Sequence, residues 1–127
     1  MREILFRAKR TDNGEWVYGD FVSNGFGICH TEYLNEYGDI GDIYHKVMPT
    51  TISQLTGLID KNGRQIFEGD IVRYMKNDVM VVVWNKESAA FVGAYSAINF
   101  NYCATLINGH MYLEVIGNIY DNPELLE

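Results

Sequence analysis

The sequence predicts a mainly β fold, α+β at most, built from short antiparallel strands and hairpins with one or two short helical turns. Three observations carry that prediction. Turn signals recur along the chain as Asp12-Asn13-Gly14, Asn24-Gly25, Asp60-Lys61-Asn62-Gly63 and Asn108-Gly109; these residue types supply the positive φ or local hydrogen bonds that tight turns need. Between the turns lie short runs rich in Val, Ile, Tyr, Phe and Trp, which suit a pleated, half-buried surface. Twelve Gly against two Pro fit a chain that turns often.

Taken in order, Ile4, Phe6 and Ala8 share one face of a first strand, and Glu15 to Val22 forms a second, with Gly19 a candidate bulge. The turn at Asp12-Asn13-Gly14 joins them into an N-terminal hairpin. Phe26 to Thr31 reads as a further short strand. Residues 32–42 are acidic, aromatic and Gly-punctuated, and are expected to form an exposed loop. Ile43 to Met48 resumes as a strand that stops at Pro49; in Thr50 to Gln54 either Thr50 or Thr51 caps a single helical turn or the segment continues extended.

The stretch from Thr56 to Tyr74 is the clearest structural statement in the chain. Asp60-Lys61-Asn62-Gly63 separates Leu58-Ile59 from Ile66-Phe67, and Glu68-Gly69-Asp70 turns the chain again before Ile71-Val72-Arg73-Tyr74. The expectation is strand, turn, strand, tight turn, strand, with Gly63 and Gly69 at turn positions and Ile66 and Ile71 buried. Met75 to Asp78 turns the chain once more. Val79 to Trp84 is an apolar, mostly β-branched run, which predicts a strand buried on both faces. Ala89 to Tyr95 reads as another strand. Ser96 to Ile107 shows alternation at Ile98, Phe100, Tyr102 and Ala104 without excluding helix, and Met111 to Tyr120 follows as a strand. Asn122-Pro123-Glu124 has the signature of a helix start, with Asn as cap and Pro at the first helical position. The organisation expected is an N-terminal hairpin subdomain, residues 1–49, with the acidic loop 32–42. A C-terminal subdomain, residues 50–127, resembles a small SH3-like barrel; one compact domain over both is the alternative.

Three segments also resemble a known family. Thr56-Gly57-Leu58, Asp60-Lys61-Asn62-Gly63 and Ile66-Phe67-Glu68-Gly69-Asp70-Ile71-Val72 look like the central signature of the YopX family of phage and prophage proteins. Met1 to Ala8 looks like its opening, and Glu114 to Leu126 is similar to its close. The resemblance implies a β-rich structure and a phage or prophage setting. It carries no catalytic residue with it.

Composition narrows the function classes. With 47% hydrophobic and 13% aromatic residues, the chain has the apolar surface to offset its ordering entropy. The formal net charge of −7 repels phosphate backbones, which disfavours nucleic acid as the main partner. Cys29 and Cys103 read as thiols of a reducing compartment. No apolar run approaches the ~20 residues of a membrane span, and the first residues lack the apolar run of a signal sequence. A cytoplasmic setting in the host cell, without membrane contact, is therefore expected.

Candidate chemistry is sparse, and no catalytic, cofactor-binding or metal-binding residue is assigned. Glu68 and Asp70, with Asp60 across the hairpin, are carboxylates that turn geometry already accounts for. Glu36, Asp39 and Asp42 lie in one loop but lack calcium-loop spacing. Cys29-His30 with Cys103 and His110 lacks zinc-ligand spacing, and neighbours such as Cys29 and His30 point to opposite faces of a strand. A Cys–His nucleophile pair would need Cys29 or Cys103 beside His45 or His110, which the sequence does not show. The densest positive cluster is Arg2, Arg7, Lys9 and Arg10, a candidate contact for a phosphate backbone or an acidic partner, or simply a soluble edge. Of nine Tyr, Tyr33 and Tyr37 lie in the acidic loop, and Tyr is enriched at protein interfaces. The expected function is a non-catalytic binding or regulatory module acting through a protein surface, with a protein partner or self-association. A nucleic-acid-binding accessory protein stands second and a small enzyme third.

Overall fold

The computed structural model describes residues 3–74, 78–94, 103–105 and 112–126. The chain is mainly β, in antiparallel sheets, and its contacts divide it into two units, Met1–Gln54 and Leu55–Glu127.

The first unit contains β1 (Phe6–Lys9), β2 (Trp16–Val22), β3 (Gly27–Tyr33), β4 (Ile40–Lys46) and the first residues of β5 (Ser53–Ile59). The strands lie in the order β4-β3-β2-β1-β5. Alternation along β1 and β2 turns Phe6, Ala8, Val17 and Phe21 to one side. They pack with Ile28, Val47 and Ile52 around a small core in which Ala8, Ile28 and Val47 are fully buried. A 3-10 turn, Pro49–Thr51, follows β4. The Thr51 hydroxyl accepts from the Lys9 N–H and donates to the Met48 carbonyl, so a buried hydroxyl closes the turn onto β1.

Two expectations change here. Gly19 is not a bulge: it pairs in register with Phe6. Glycine is required because a Cβ there would lie 2.2 Å from the Cys29 carbonyl oxygen on β3. The acidic segment 32–42 is not a loop throughout. β3 continues to Tyr33 and β4 starts at Ile40, with Tyr33 opposite Ile40. Only the tip, residues 34–39, is turn. The Asn35 side chain organises it, accepting from the Tyr37 and Asp39 N–H groups and donating to the Asp39 carboxylate, while the Leu34 N–H donates to the Asp39 carbonyl.

The second unit holds the rest of β5, β6 (Gln65–Phe67), β7 (Asp70–Tyr74), β8 (Asp78–Asn85), β9 (Ala90–Ala94), β10 (Cys103–Thr105) and β11 (Leu113–Asn118). β5 pairs with β6 through Leu55 and Phe67, and five strands form a sheet in the order β10-β9-β8-β7-β11. Ile66, Val72, Met80, Val82, Leu113 and Val115 make its core, with Leu58, Tyr74 and Phe91 packed against it.

The barrel-like closure expected for this half is absent among the described residues. A barrel requires first and last strands to pair, whereas β10 and β11 lie at opposite ends of an open order. β8 is buried on both faces only at Met80, Val81 and Val82. Trp84, expected inside, is half exposed and packs edge-to-face on Phe91. The terminal turn forms as a 3-10 helix, Pro123–Leu126. Asn122 is tied back into the chain: its side-chain oxygen accepts from the Asn118 N–H. The readings at Met75–Asn77, Tyr95–Tyr102 and Leu106–Met111 lie outside the described residues.

Candidate interaction surface

The β3–β4 hairpin presents the most exposed apolar group in the first unit. Tyr33 is 77% exposed, Leu34 57%, Tyr37 84% and Ile40 63%. Around them stand Glu32, Glu36, Asp39 and Asp42, and no Lys, Arg or His lies between Glu32 and Asp42. Tyr33 and Ile40 share one face of the hairpin, Leu34 lies over Gly41 on the other, and every charged residue of the segment is acidic. Each of these carboxylates is exposed, whereas a carboxylate pair that divides acid and base roles is set apart by burial or close partners.

In the folded chain Arg7 and Lys9 share the Trp16 ring, while Arg10 has a partner of its own. The Arg7 guanidinium lies 4.6 Å from the Trp16 ring centre, and Lys9 Nζ lies 5.5 Å from it. Arg7 is only 5% exposed, so its charge is not presented as a phosphate contact would need. Arg10 is held by Asp12 in a two-pronged contact, Nε to Oδ1 at 2.9 Å and Nη2 to Oδ2 at 2.6 Å. The hydrogen bond from Arg10 holds the Asp12 carboxyl below its ordinary range, and the same bond raises Arg10. Arg2 lies outside the described residues.

Beside this pair, Arg10, Thr11, Asp12, Tyr44, His45 and Lys46 line a hollow of about 150 Å³. That is below the roughly 300–1,000 Å³ typical of small-molecule sites.

Among the described residues, no group of three or more His, Cys, Asp or Glu side chains is placed to hold a metal ion. Nor is any helix long and apolar enough to cross a membrane. Cys29 is a half-buried free thiol.

One juxtaposition escaped sequence reasoning. His30 on β3 and His45 on β4 meet with their Nε2 atoms 3.1 Å apart. The ring centres are 5.2 Å apart and the planes 22° from parallel. Nitrogens this close at that ring separation mean the rings approach along their nitrogen edges rather than face over face. His30 Nδ1 points towards Glu32, 3.9 Å from Oε2.

Comparison with known proteins decides the family. The YopX protein model matches residues 5–127. The chain belongs to the YopX family. No curated protein matches it. Among solved structures it is similar to that of protein EF1440 from Enterococcus faecalis, with 26% identity, a TM-score of 0.62 and full coverage of both chains.

In this YopX-family chain, the residues that carry the central signature hold turns together. Gly63 and Gly69 adopt φ values of 81° and 85°, and Ile66, Phe67, Ile71 and Val72 are all buried. The buried Asp70 carboxylate accepts from the Phe67 N–H at 2.8 Å. The Gly69 N–H donates to the Val82 carbonyl, and its own carbonyl accepts from the Ile119 N–H. Asp60 accepts from the Asn62 and Arg64 N–H groups through Oδ1 and from the Val115 N–H through Oδ2, each at 2.9 Å. Burial pushes the Asp60 carboxyl up, but these three donors and the Arg64 charge outweigh it and hold it below the usual carboxylate range. Asp60 and Asp70 of the signature thus serve the backbone.

Proposed function

We propose that this chain is a non-catalytic binding module of a phage or prophage, and that it engages a basic protein surface through the tip of the β3–β4 hairpin. The observation that carries the reading is the exposed pair Tyr33 and Ile40 on one face of the hairpin, with Tyr37 exposed at its turn, in a segment whose charges are all acidic. Exposed apolar side chains gathered at one place on a surface mark interaction sites, and aromatic anchors dominate the energetics of such sites. The charge selects the occupant. Carboxylates repel both a phosphate backbone and a second copy of a chain with net charge −7, and attract Lys and Arg.

A photo-crosslinking residue at Ile40, which none of the control variants alters, tests this in host cells and on arrays of basic, aromatic-containing peptides. The expected result is a protein or peptide crosslink that weakens with salt. It should vanish both in Tyr33→Ser/Tyr37→Ser and when Glu32, Glu36, Asp39 and Asp42 are changed to their amides. A crosslink to nucleic acid, to a second copy of the chain, or to proteins regardless of those changes would overturn it.

A further inference from the structure

We propose that His30 and His45 form a two-nitrogen chelate for a divalent transition metal of the zinc, copper and nickel class. The two donor nitrogens lie outside the hairpin tip, and the site shares only Glu32 with the proposed interaction surface. Imidazole is the preferred donor of these ions, whereas magnesium and calcium take oxygen. With metal–nitrogen bonds of about 2.0–2.1 Å, Nε2 atoms 3.1 Å apart subtend roughly 100° at a shared ion, between octahedral and tetrahedral values. The strands therefore hold the two donors at chelating distance already, and small ring rotations suffice to aim both lone pairs at one ion.

The backbone accounts for the spacing. Ile28 pairs with His45 and His30 with Ile43, so the two imidazoles are diagonal neighbours on one face of the hairpin. Without metal, one Nε2–H donates to the other Nε2. With metal, both rings carry their proton on Nδ1, so the ring that donated moves its proton from Nε2 to Nδ1 and the other keeps its tautomer. The His30 Nδ1–H then faces the Glu32 carboxylate, in the carboxylate–histidine–metal arrangement that orients ligating imidazoles. At 3.9 Å that contact is longer than a hydrogen bond; Glu32 is half exposed and free to rotate onto it. Two protein donors leave further coordination positions for water or for a donor from a binding partner.

Calorimetric titration of the tag-free chain with zinc and with nickel, paired with imidazole nitrogen NMR, tests the site. One ion per chain is expected. The Nε2 signals of His30 and His45 should move together along the titration. His30→Gln and His45→Gln should each weaken uptake by more than about tenfold, Glu32→Gln by about tenfold, and His110→Gln not at all. Magnesium should not compete. Should the His30 or His45 variants fail to fold, the wild-type spectra decide by themselves. The assignment is overturned if zinc and nickel at millimolar concentration leave both Nε2 signals in place, if His110 alone responds, or if folded variants at His30 and His45 keep full uptake.

Discussion

The Asp60 carboxylate accepts a hydrogen bond from the Val115 backbone N–H at 2.9 Å, across 55 positions of sequence. A turn residue thereby fastens the centre of the chain to its last strand. Hydrogen bonds to charged groups contribute about 1.5–3 kcal/mol each, and a buried donor left without a partner is costly. Asp60→Ala is expected to lower stability by about 2–4 kcal/mol in urea unfolding. Asp60→Asn should fall between, since its carbonyl oxygen still serves Asn62 and Arg64 while its amide meets the Val115 N–H donor to donor.

The same carboxylate makes stability depend on pH. Its folded pKa lies below the ordinary value, so at low pH the unfolded chain takes up the proton first. The stabilisation is fully present above about pH 4, the unfolded value, and is lost as pH falls through the lower folded value. Urea midpoints measured downward from pH 5 should drop more steeply for the wild type than for Asp60→Asn. Parallel slopes would show that Asp60 contributes nothing to acid sensitivity.

Gly63 and Gly69 have similar positive φ but different surroundings. A Cβ at Gly63 meets nothing within 4 Å, whereas one at Gly69 lies 3.0 Å from Tyr120 Cε2. Gly63→Ala carries the left-handed backbone penalty alone, about 1–2 kcal/mol. Gly69→Ala adds a displaced Tyr120 ring and should melt at a clearly lower temperature. Equal melting temperatures would contradict this.

Core weight and residue size run in opposite directions on β8. Val82 is fully buried, while Trp84 is half exposed. Val82→Ala should cost about 2–3 kcal/mol through lost burial and the cavity left behind. Trp84→Ala should cost about 1 kcal/mol, chiefly its edge-to-face contact with Phe91. Denaturation of the two variants side by side checks the order.

Tyr33 and Tyr37 stand outside every core cluster. Tyr33→Ser and Tyr37→Ser should leave unfolding within about 0.5 kcal/mol of wild type while removing the crosslink described above. A large loss of stability would mean that these rings serve the fold.

The turns were legible in the sequence because Asp60, Asn62, Gly63 and Gly69 each have a local physical reason to be where they are. The open ends of the second unit were not. Whether a last strand closes a barrel depends on pairing between residues far apart, and the fact that β11 pairs with β7 leaves no local trace. Trp84 was misplaced inside because six consecutive apolar residues hide which of them lie beyond the sheet's covered centre.

The histidine pair was hidden by one decision, the reading of residues 32–42 as loop. A hairpin centred between Glu36 and Tyr37 places His30 and His45 on one face, so the register alone would have exposed them. For Arg7 and Arg10, a cluster in sequence is not a cluster in space. Strand alternation and the side chains of Trp16 and Asp12 send the charges to different partners.

The Asn35-centred tip has a consequence for how such a chain can change over time. Its shape is held by one amide side chain and a few local hydrogen bonds, and its outward residues contribute little to either core. Substitutions at Tyr33, Leu34, Glu36 or Tyr37 are therefore decoupled from foldability. A lineage carrying this scaffold can vary the tip by altering a handful of adjacent codons, with no compensating change elsewhere.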